Sequence, residues 1–280
     1  MKLYIILISL LGINKCFAQD ISFDTVLSWD SLKEKDYELI DKFIKMTPSE
    51  FEYYKLNKDY TPKIKDLIND IHTLDLDNDG LDDIIFDGQT GGELREILIF
   101  LNKGSSFVKV FSDWQRILNW HFTDDVLSEI SIVNWGCCAE TNTTSNFYKV
   151  TNPNNSLTFT LLKTFQYIED TVLPDKYWPI KKNIKILNND YNLRSSPVVN
   201  DTTTFYYQGE PTIGNSVGKI KKDALAIALA DSTDDTGRIW YFVAVYPEYK
   251  LKETLFYDAD EKSKRYKCGW LSNRFVEIKE

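Results

Sequence analysis

The stretch RIWYFVAV at residues 238–245 decides the fold of the C-terminal third of this chain. Large apolar side chains alternate along it with their neighbours, as they do in a half-buried antiparallel strand. A second apolar run at 224–230 precedes it, and a polar loop containing Gly237 separates the two runs. Near the C-terminus, Gly269 is predicted to form a tight turn before Trp270. This part of the chain is therefore predicted to be a small antiparallel β-structure.

Short strand-like runs also fill the middle of the chain, where apolar residues follow a two-residue period from about Ile71 onward. Pro174 and Pro179 predict a linker at 168–182, and strand signals resume at Ile184. Because 280 residues are enough for two domains, we predict a β domain at 71–167 and a second domain at 183–280. The first would have strands at 84–86, 96–101, 107–111, 117–122, 127–133, 145–150 and 157–167, with a turn at 152–156.

Residues 19–70 are predicted to be helical. The segments SLKE at 31–34 and TPSE at 47–50 both match the capping box, in which Ser or Thr accepts a hydrogen bond from a backbone N–H three residues on. Each is followed by apolar residues at helical spacing, namely Leu39, Ile40, Phe43 and Ile44 after the first and Phe51 and Tyr54 after the second. We expect two short helices that cover one side or edge of a sheet.

The first 18 residues have the features of a secretion signal. Lys2 is followed by an apolar run at 4–13, and small residues, Cys16 and Ala18, precede a cleavage position before Gln19. The run is shorter than the ~20 apolar residues that a membrane-spanning helix needs. We therefore predict an exported bacterial protein, periplasmic or secreted, that is not an integral membrane protein. The alternative is a lipoprotein anchored through Cys16, whose preceding residues fit the lipid-attachment pattern poorly.

The net charge of the chain limits the classes of partner, and its cysteines determine which disulfides are possible. The chain has 33 Lys and Arg against 42 Asp and Glu, for a formal net charge of −9. An acidic chain repels phosphate backbones, so nucleic acid is excluded as an expected partner, whereas a divalent cation is favoured. Cys137, Cys138 and Cys268 would remain after export. An oxidising compartment permits disulfides. The sequence does not decide which of the three cysteines would pair, and three free thiols are an equal alternative.

The sharpest local motif is the acidic loop DLDNDGLDD at residues 75–83. Its carboxylates fall at positions 1, 3, 5 and 9, and glycine at position 6 permits the turn. These side chains would repel one another strongly without a cation. The loop is predicted to bind a metal through the side chains of Asp75, Asp77, Asp79 and Asp83 and the backbone carbonyl of Leu81. It is not an EF-hand, because Phe86 stands where the bidentate glutamate is needed.

The acidic loop and the residues after it, about 71–111, resemble the calcium loop of FG-GAP/VCBS repeats. An apolar strand follows the loop, then Gly91 and Gly92 and a second strand. The resemblance implies a structural calcium ion held by the loop. A single unit cannot form a propeller, which needs at least four blades, so we expect a small sheet packed by the N-terminal helices. An acidic surface turn without metal is the alternative.

The C-terminal part contains four blocks in order, YNLRSSP at 191–197, GNSVGKIKKD at 214–223, the strand at 238–245 and GWLS at 269–272. With these blocks in this order, residues 183–278 resemble a bacterial SH3-like (SH3b) domain. The predicted fold class is accordingly mainly β with N-terminal helices (α+β), comprising a small β-sheet domain and a C-terminal SH3-like β-barrel. The resemblance implies binding of a cell-wall component or an envelope protein. The predicted ligand-binding residues are Tyr191, Arg194, Tyr241, Trp240 and Trp270.

No catalytic constellation is recognisable in the sequence. The two histidines, His72 and His121, lie in different predicted strands and lack zinc-ligand neighbours. Cys137 or Cys138 with His121 is the one conceivable nucleophile and base pair, and its flanking residues match no nucleophile motif. We therefore predict a non-catalytic binding protein. An inhibitor or interaction protein for another envelope protein is the alternative, and a cysteine-dependent hydrolase is a weaker one.

Overall fold

The structure is a computed structural model of the chain. It describes Phe23 and residues 26–29, 34–47, 64–89, 95–136, 142–207, 210–256 and 264–279. The predicted signal peptide, the second predicted helix with Phe51 and Tyr54, Gly91 and Gly92, and Cys137 and Cys138 lie outside these residues. The described part of the chain is mostly β-strand with few helices, as the sequence predicted.

The first helix, α1, spans Tyr37–Met46 and begins later than the capping box at 31–34 predicts. Its N-cap is Asp36, whose side chain accepts a hydrogen bond from Leu39 N. The backbone N–H of Asp36 in turn donates to Thr73 Oγ1 at 3.1 Å. The predicted start at Ser31 is therefore wrong, because a contact with a distant strand determines where the helix begins. A second helix, α2, spans Ile64–Asp70.

Four antiparallel strands form the first sheet, in the order β1-β2-β3-β4. One face packs on α1 through Ile40 and Phe43, which contact a core containing Phe86 and Phe100. The opposite face contributes Ile85 to a second core shared with the larger sheet. The strands are β1 (Ile71–Leu74), β2 (Asp83–Gln89), β3 (Arg95–Asn102) and β4 (Phe107–Trp114).

The larger sheet has the strand order β17-β9-β14-β15-β16-β8-β7-β6-β5. The strands at the other end of this order, β5 to β8, match the runs predicted at 117–122, 127–133, 145–150 and 157–167. Asn154 and Asn155 adopt positive φ in the predicted turn before β8. The bounds are β5 (Arg116–Thr123), β6 (Val126–Asn134), β7 (Asn142–Thr151), β8 (Thr158–Ile168), β9 (Lys182–Ile186), β14 (Leu225–Thr233), β15 (Ile239–Val245), β16 (Arg265–Ser272) and β17 (Val276–Lys279).

Three further pairings complete the C-terminal part. Strand β10 (Tyr191–Arg194) pairs with β13 (Ser216–Ile220) and, at one residue, with β16. Strands β11 (Thr204–Tyr207) and β12 (Glu210–Ile213) form a separate hairpin, and a 3-10 turn at Asn273–Phe275 precedes β17. Among the described residues β13 joins the ladder only through β10, so the ladder is open.

The two predicted β regions are joined by hydrogen bonds between strands. Strand β8 pairs in parallel with β16, and Lys267 lies opposite Gln166. The segment predicted as a linker also contacts the C-terminal part, because Val172 N donates to Ser195 O, just after β10, at 2.7 Å and Trp178 N donates to Leu229 O in β14 at 2.7 Å. The division into two domains stays a prediction, but the segment between them is packed against the second.

Gly269 has a different role from the predicted one. It lies inside β16, where a Cβ atom would sit 2.8 Å from the backbone oxygen of Arg194 and 2.8 Å from Leu193 Cγ. Glycine is therefore required by the close approach of β10 and not by a turn. The prediction of a tight turn before Trp270 is wrong.

Candidate metal centre

The acidic loop connects β1 to β2 at one end of the four-stranded sheet. Asn78 and Gly80 both have positive φ, of 58° and 86°. A Cβ atom on Gly80 would meet nothing within 4 Å, so glycine is favoured there by its backbone conformation alone. These residues turn the chain back on itself, which brings the carboxylates at both ends of the loop together.

Three of the predicted ligands converge. Asp75, Asp77 and Asp83 each offer a carboxylate oxygen, and these oxygens all lie within 4.8 Å of one another. Two oxygens bound to one Ca²⁺ at 2.3–2.6 Å are at most about 5.2 Å apart, so this spacing fits a single calcium coordination sphere. It does not select calcium over other cations.

Hydrogen bonds within the loop hold the first carboxylates in place. Asp75 accepts from the backbone N–H groups of Asp79 at 3.3 Å and Gly80 at 2.9 Å. Asp79 Oδ1 accepts from Leu81 N at 2.9 Å. Since each carboxylate oxygen has two lone pairs, such an oxygen can accept a hydrogen bond and still bind a cation.

Asp83 is the most deeply buried member of the cluster. Its side chain accepts from Leu76 N at 3.0 Å and from Asn102 N at 2.8 Å, and the residue is fully buried. Burial raises the pKa of Asp83 to about 7, although the two backbone hydrogen bonds act to lower it, and the charges of Asp77 and Asp79 raise it further. A nearby cation would favour the ionised form.

Two buried oxygens beside the loop have no hydrogen-bond donor among the described residues. One is Oδ1 of Asp77, whose side chain is 0% exposed. The other is Oδ1 of Asn152, whose amide nitrogen donates to the backbone oxygen of Asp77 at 3.2 Å. An unsatisfied buried acceptor is costly unless a donor or a cation meets it. The donor set, all oxygen, therefore fits a hard cation such as Ca²⁺.

Lys103 contacts the same cluster from the turn after β3. Its Nζ lies 2.8 Å from Asp77 Oδ2 and 3.4 Å from Asp79 Oδ2. Partial burial lowers the pKa of Lys103, but the hydrogen bonds and charges of the two carboxylates outweigh it and hold that pKa above its usual value. Asp79 is thus linked to the site through Lys103 and is not part of the converging cluster.

The sequence did not reveal Lys103, Asn102 or Asn152 as parts of this site. Asn102 ends β3, Lys103 follows it and Asn152 follows β7, so the three are distant from the loop in the chain. Leu81, whose backbone carbonyl is the fifth predicted ligand, is a 40% exposed residue. The weak signal for Asn102 and Lys103 is their position at the end of a strand that pairs with β2.

The predicted ligand-binding residues lie in the C-terminal strands with very different exposure. Trp240 and Trp270 are 1% exposed core residues, and their indole N–H groups donate to Asp234 and to Val172 O. Arg194 is 6% exposed and donates to Asp201 Oδ1 at 2.8 Å and Asn215 Oδ1 at 2.6 Å, so it holds the segment after β10. A ligand reaches none of these three side chains without rearrangement of the core.

Tyr191 and Tyr241 remain the accessible members of the predicted set. Both are half-buried, and the Tyr191 hydroxyl donates to Ser272 O at 2.7 Å. Tyr241 lies edge-on to Trp178, with ring centroids 5.8 Å apart. Trp178 lies in the predicted linker, so the sequence pattern does not predict its contact with Tyr241. Binding through the two tyrosines stays a prediction.

Neither histidine is paired with a nucleophile among the described residues. His72 stacks on Trp29 with ring centroids 3.8 Å apart, and burial, followed by the charges of Lys35 and Arg95, lowers its pKa to about 3. His121 lies opposite Glu129 in the β5–β6 ladder. Cys268 is buried, and burial raises the pKa of its thiol well above the usual range.

Comparison of the chain with protein-family models, with curated proteins and with solved structures finds no match. Among the residues that the structure describes, no helix is both long enough and apolar enough to span a membrane.

Proposed function

We propose that the protein is an exported, non-catalytic binding protein of the bacterial envelope, in which a calcium-stiffened N-terminal β domain presents a C-terminal SH3-like barrel to a cell-wall or protein ligand. The pairing of β9 with β14 and β17, and of β10 with β13 and β16, supports the SH3-like interpretation of 183–278. The 3-10 turn before the last strand supports it as well. Closure of these strands into a barrel is part of the proposal.

The β11–β12 hairpin is the observation on which the binding function mainly rests. Tyr206 lies opposite Pro211 and Thr204 lies opposite Ile213, so these four residues share one face. Tyr206 is 69% exposed and Ile213 is 71% exposed, whereas Phe205 and Tyr207 on the other face pack on the C-terminal core. Contiguous apolar residues kept on the surface mark interaction sites. An apolar face of this kind favours a protein ligand, and with it the alternative of an interaction or inhibitor protein.

The binding proposal is tested with two preparations, purified peptidoglycan and an extract of envelope proteins. The full-length protein is incubated with insoluble peptidoglycan and, separately, with an envelope extract, and Tyr206→Ser/Ile213→Ser is compared with the control Leu161→Ser/Leu162→Ser. Leu161 and Leu162 are 50% and 42% exposed on β8. We expect the hairpin variant alone to lose a stoichiometric ligand. If both variants bind the ligand as well as the wild type does, the hairpin is not the binding surface. If the wild type binds neither peptidoglycan nor a protein from the extract, the binding function is refuted.

The calcium part of the proposal has its own test. At a calcium concentration about 100 times the dissociation constant, mass action should stabilise the folded state by about 2.7 kcal/mol. Thermal unfolding in calcium and in chelator should show this difference for the wild type and lose it in Asp77→Ala. A wild-type melting temperature that does not respond to calcium would exclude the site.

A further inference from the structure

Lys103 places a positive charge next to a carboxylate that would bind calcium in the proposed site. Its ammonium group lies 2.8 Å from Asp77 Oδ2, on a carboxylate whose side chain is 0% exposed. Asp77 also belongs to the converging cluster with Asp75 and Asp83. A lysine that follows β3 therefore contacts the same carboxylate that a metal would use.

A buried carboxylate that stays ionised, such as Asp77 beside Lys103, needs a compensating positive charge. Removing an ionised carboxylate from water is costly unless an opposite charge accompanies it. In the absence of metal, Lys103 is the cation that the structure places on Asp77 and Asp79. Its side chain is 30% exposed, and the flexible lysine stem allows the ammonium group to move into water.

We propose that Lys103 is a built-in, displaceable counter-ion that competes with the divalent cation for Asp77 and so sets the affinity of the acidic loop. This inference rests on the proposed calcium site. Ca²⁺ binds carboxylate oxygens at about 2.3–2.6 Å, and a cation at that distance from Asp77 would strongly repel an ammonium group on the same carboxylate. Binding of the metal therefore displaces Lys103 from Asp77, so that this carboxylate has a cationic partner both with and without metal.

The competition predicts opposite effects of one substitution with and without metal. Lys103→Met keeps the length of the side chain but removes its charge, so the free site should bind Ca²⁺ on the order of tenfold more tightly, which corresponds to about 1.4 kcal/mol. In chelator the same variant should melt at a lower temperature than the wild type, because the carboxylates lose their counter-ion. In saturating calcium the two melting temperatures should approach each other.

The experiment uses the full-length chain, with CaCl₂ alone as the probe, in titration calorimetry and thermal unfolding. Lys103→Arg keeps the charge, and Lys222→Met removes one positive charge from an exposed position in the C-terminal part. Both controls should bind calcium like the wild type. Tighter binding and a lower melting temperature in chelator for Lys103→Met alone would support the competition.

The possible failures are distinguishable. If the wild type binds calcium and Lys103→Met binds equally or more weakly, the competition is refuted while the calcium site survives. If Lys103→Met binds calcium and the wild type does not, Lys103 excludes the metal and the proposed calcium function of the native chain falls. If neither protein binds calcium, both proposals fall.

Discussion

The effect of calcium on stability should depend strongly on pH, because Asp83 must lose its proton before it can bind a cation. Burial raises the pKa of this carboxyl from 3.8 to about 7. Between about pH 3.8 and pH 7, Asp83 in the metal-free folded protein therefore holds a proton that the unfolded chain has lost. The resulting stabilisation is fully present below the unfolded pKa of 3.8 and is lost as the pH rises through about 7. At the proposed site calcium would act in the opposite direction, since it would bind only the ionised form of Asp83.

The size of the effect follows from the pKa of Asp83. With a pKa of about 7, roughly nine-tenths of the carboxyl is ionised at pH 8, and only about 3% at pH 5.5. The apparent calcium affinity should then fall about 30-fold, so calcium should stabilise the fold by about 2 kcal/mol less at pH 5.5. For a chain of this length that corresponds to a loss of roughly 4–8 °C in the calcium-induced shift.

The assay is thermal unfolding at pH 8 and pH 5.5, each in calcium and in chelator. Subtracting the chelator value at each pH cancels groups that titrate equally with and without metal, including His72. Asp83→Asn serves as the control, because its calcium-induced shift should be small and independent of pH. A wild-type shift that is equal at the two pH values would refute Asp83 as a ligand with a raised pKa.

Three further predictions concern the rest of the fold. Because the folded protein holds His72 at a lowered pKa, its contribution to stability is present above the unfolded pKa of 6.5 and is lost as the pH falls. In chelator, the free energy of unfolding of the wild type should therefore include a decrease of about 1 kcal/mol between pH 8 and pH 5.5 that His72→Phe lacks, as measured by urea unfolding. Arg194→Lys should cost about 1–2 kcal/mol and raise amide exchange mainly at 196–215. Cys268, fully buried, should resist alkylation until the protein unfolds, as mapped by mass spectrometry.

The strands were largely predictable because their side chains alternate in local sequence. Strands β3, β5, β6 and β8 lie within a few residues of the predicted runs. The parallel pairing of β8 with β16 was not predictable, since it joins segments about a hundred residues apart and leaves no local pattern. The start of α1 was missed for the same reason, because Asp36 is held by Thr73 on β1.

The candidate site was predictable only as far as one loop encodes it. The spacing of the aspartates and the glycine at position 6 of the loop predicted Asp75, Asp77 and Asp83 as metal ligands, and the structure brings their carboxylate oxygens together. The predicted ligand role of Asp79 was inferred from the same spacing, but the structure directs this side chain toward Lys103. Sequence alone could not supply Lys103 or Asn152, because their contribution depends on how β3 and β7 are packed against the loop.

The loop also joins the two sheets, which explains why its charge state should affect the whole fold. Leu76 is fully buried in the core shared by both sheets, and its backbone oxygen accepts from Leu127 N, one residue into β6, at 2.9 Å. Asn152 donates to the loop from the end of β7, and Asp83 fixes the end of β3 through Asn102 N. A cation that relieves repulsion between the carboxylates therefore stabilises the contact between the sheets as well as the turn. Losing it should loosen that contact first, while the strands within each sheet keep their own hydrogen bonds.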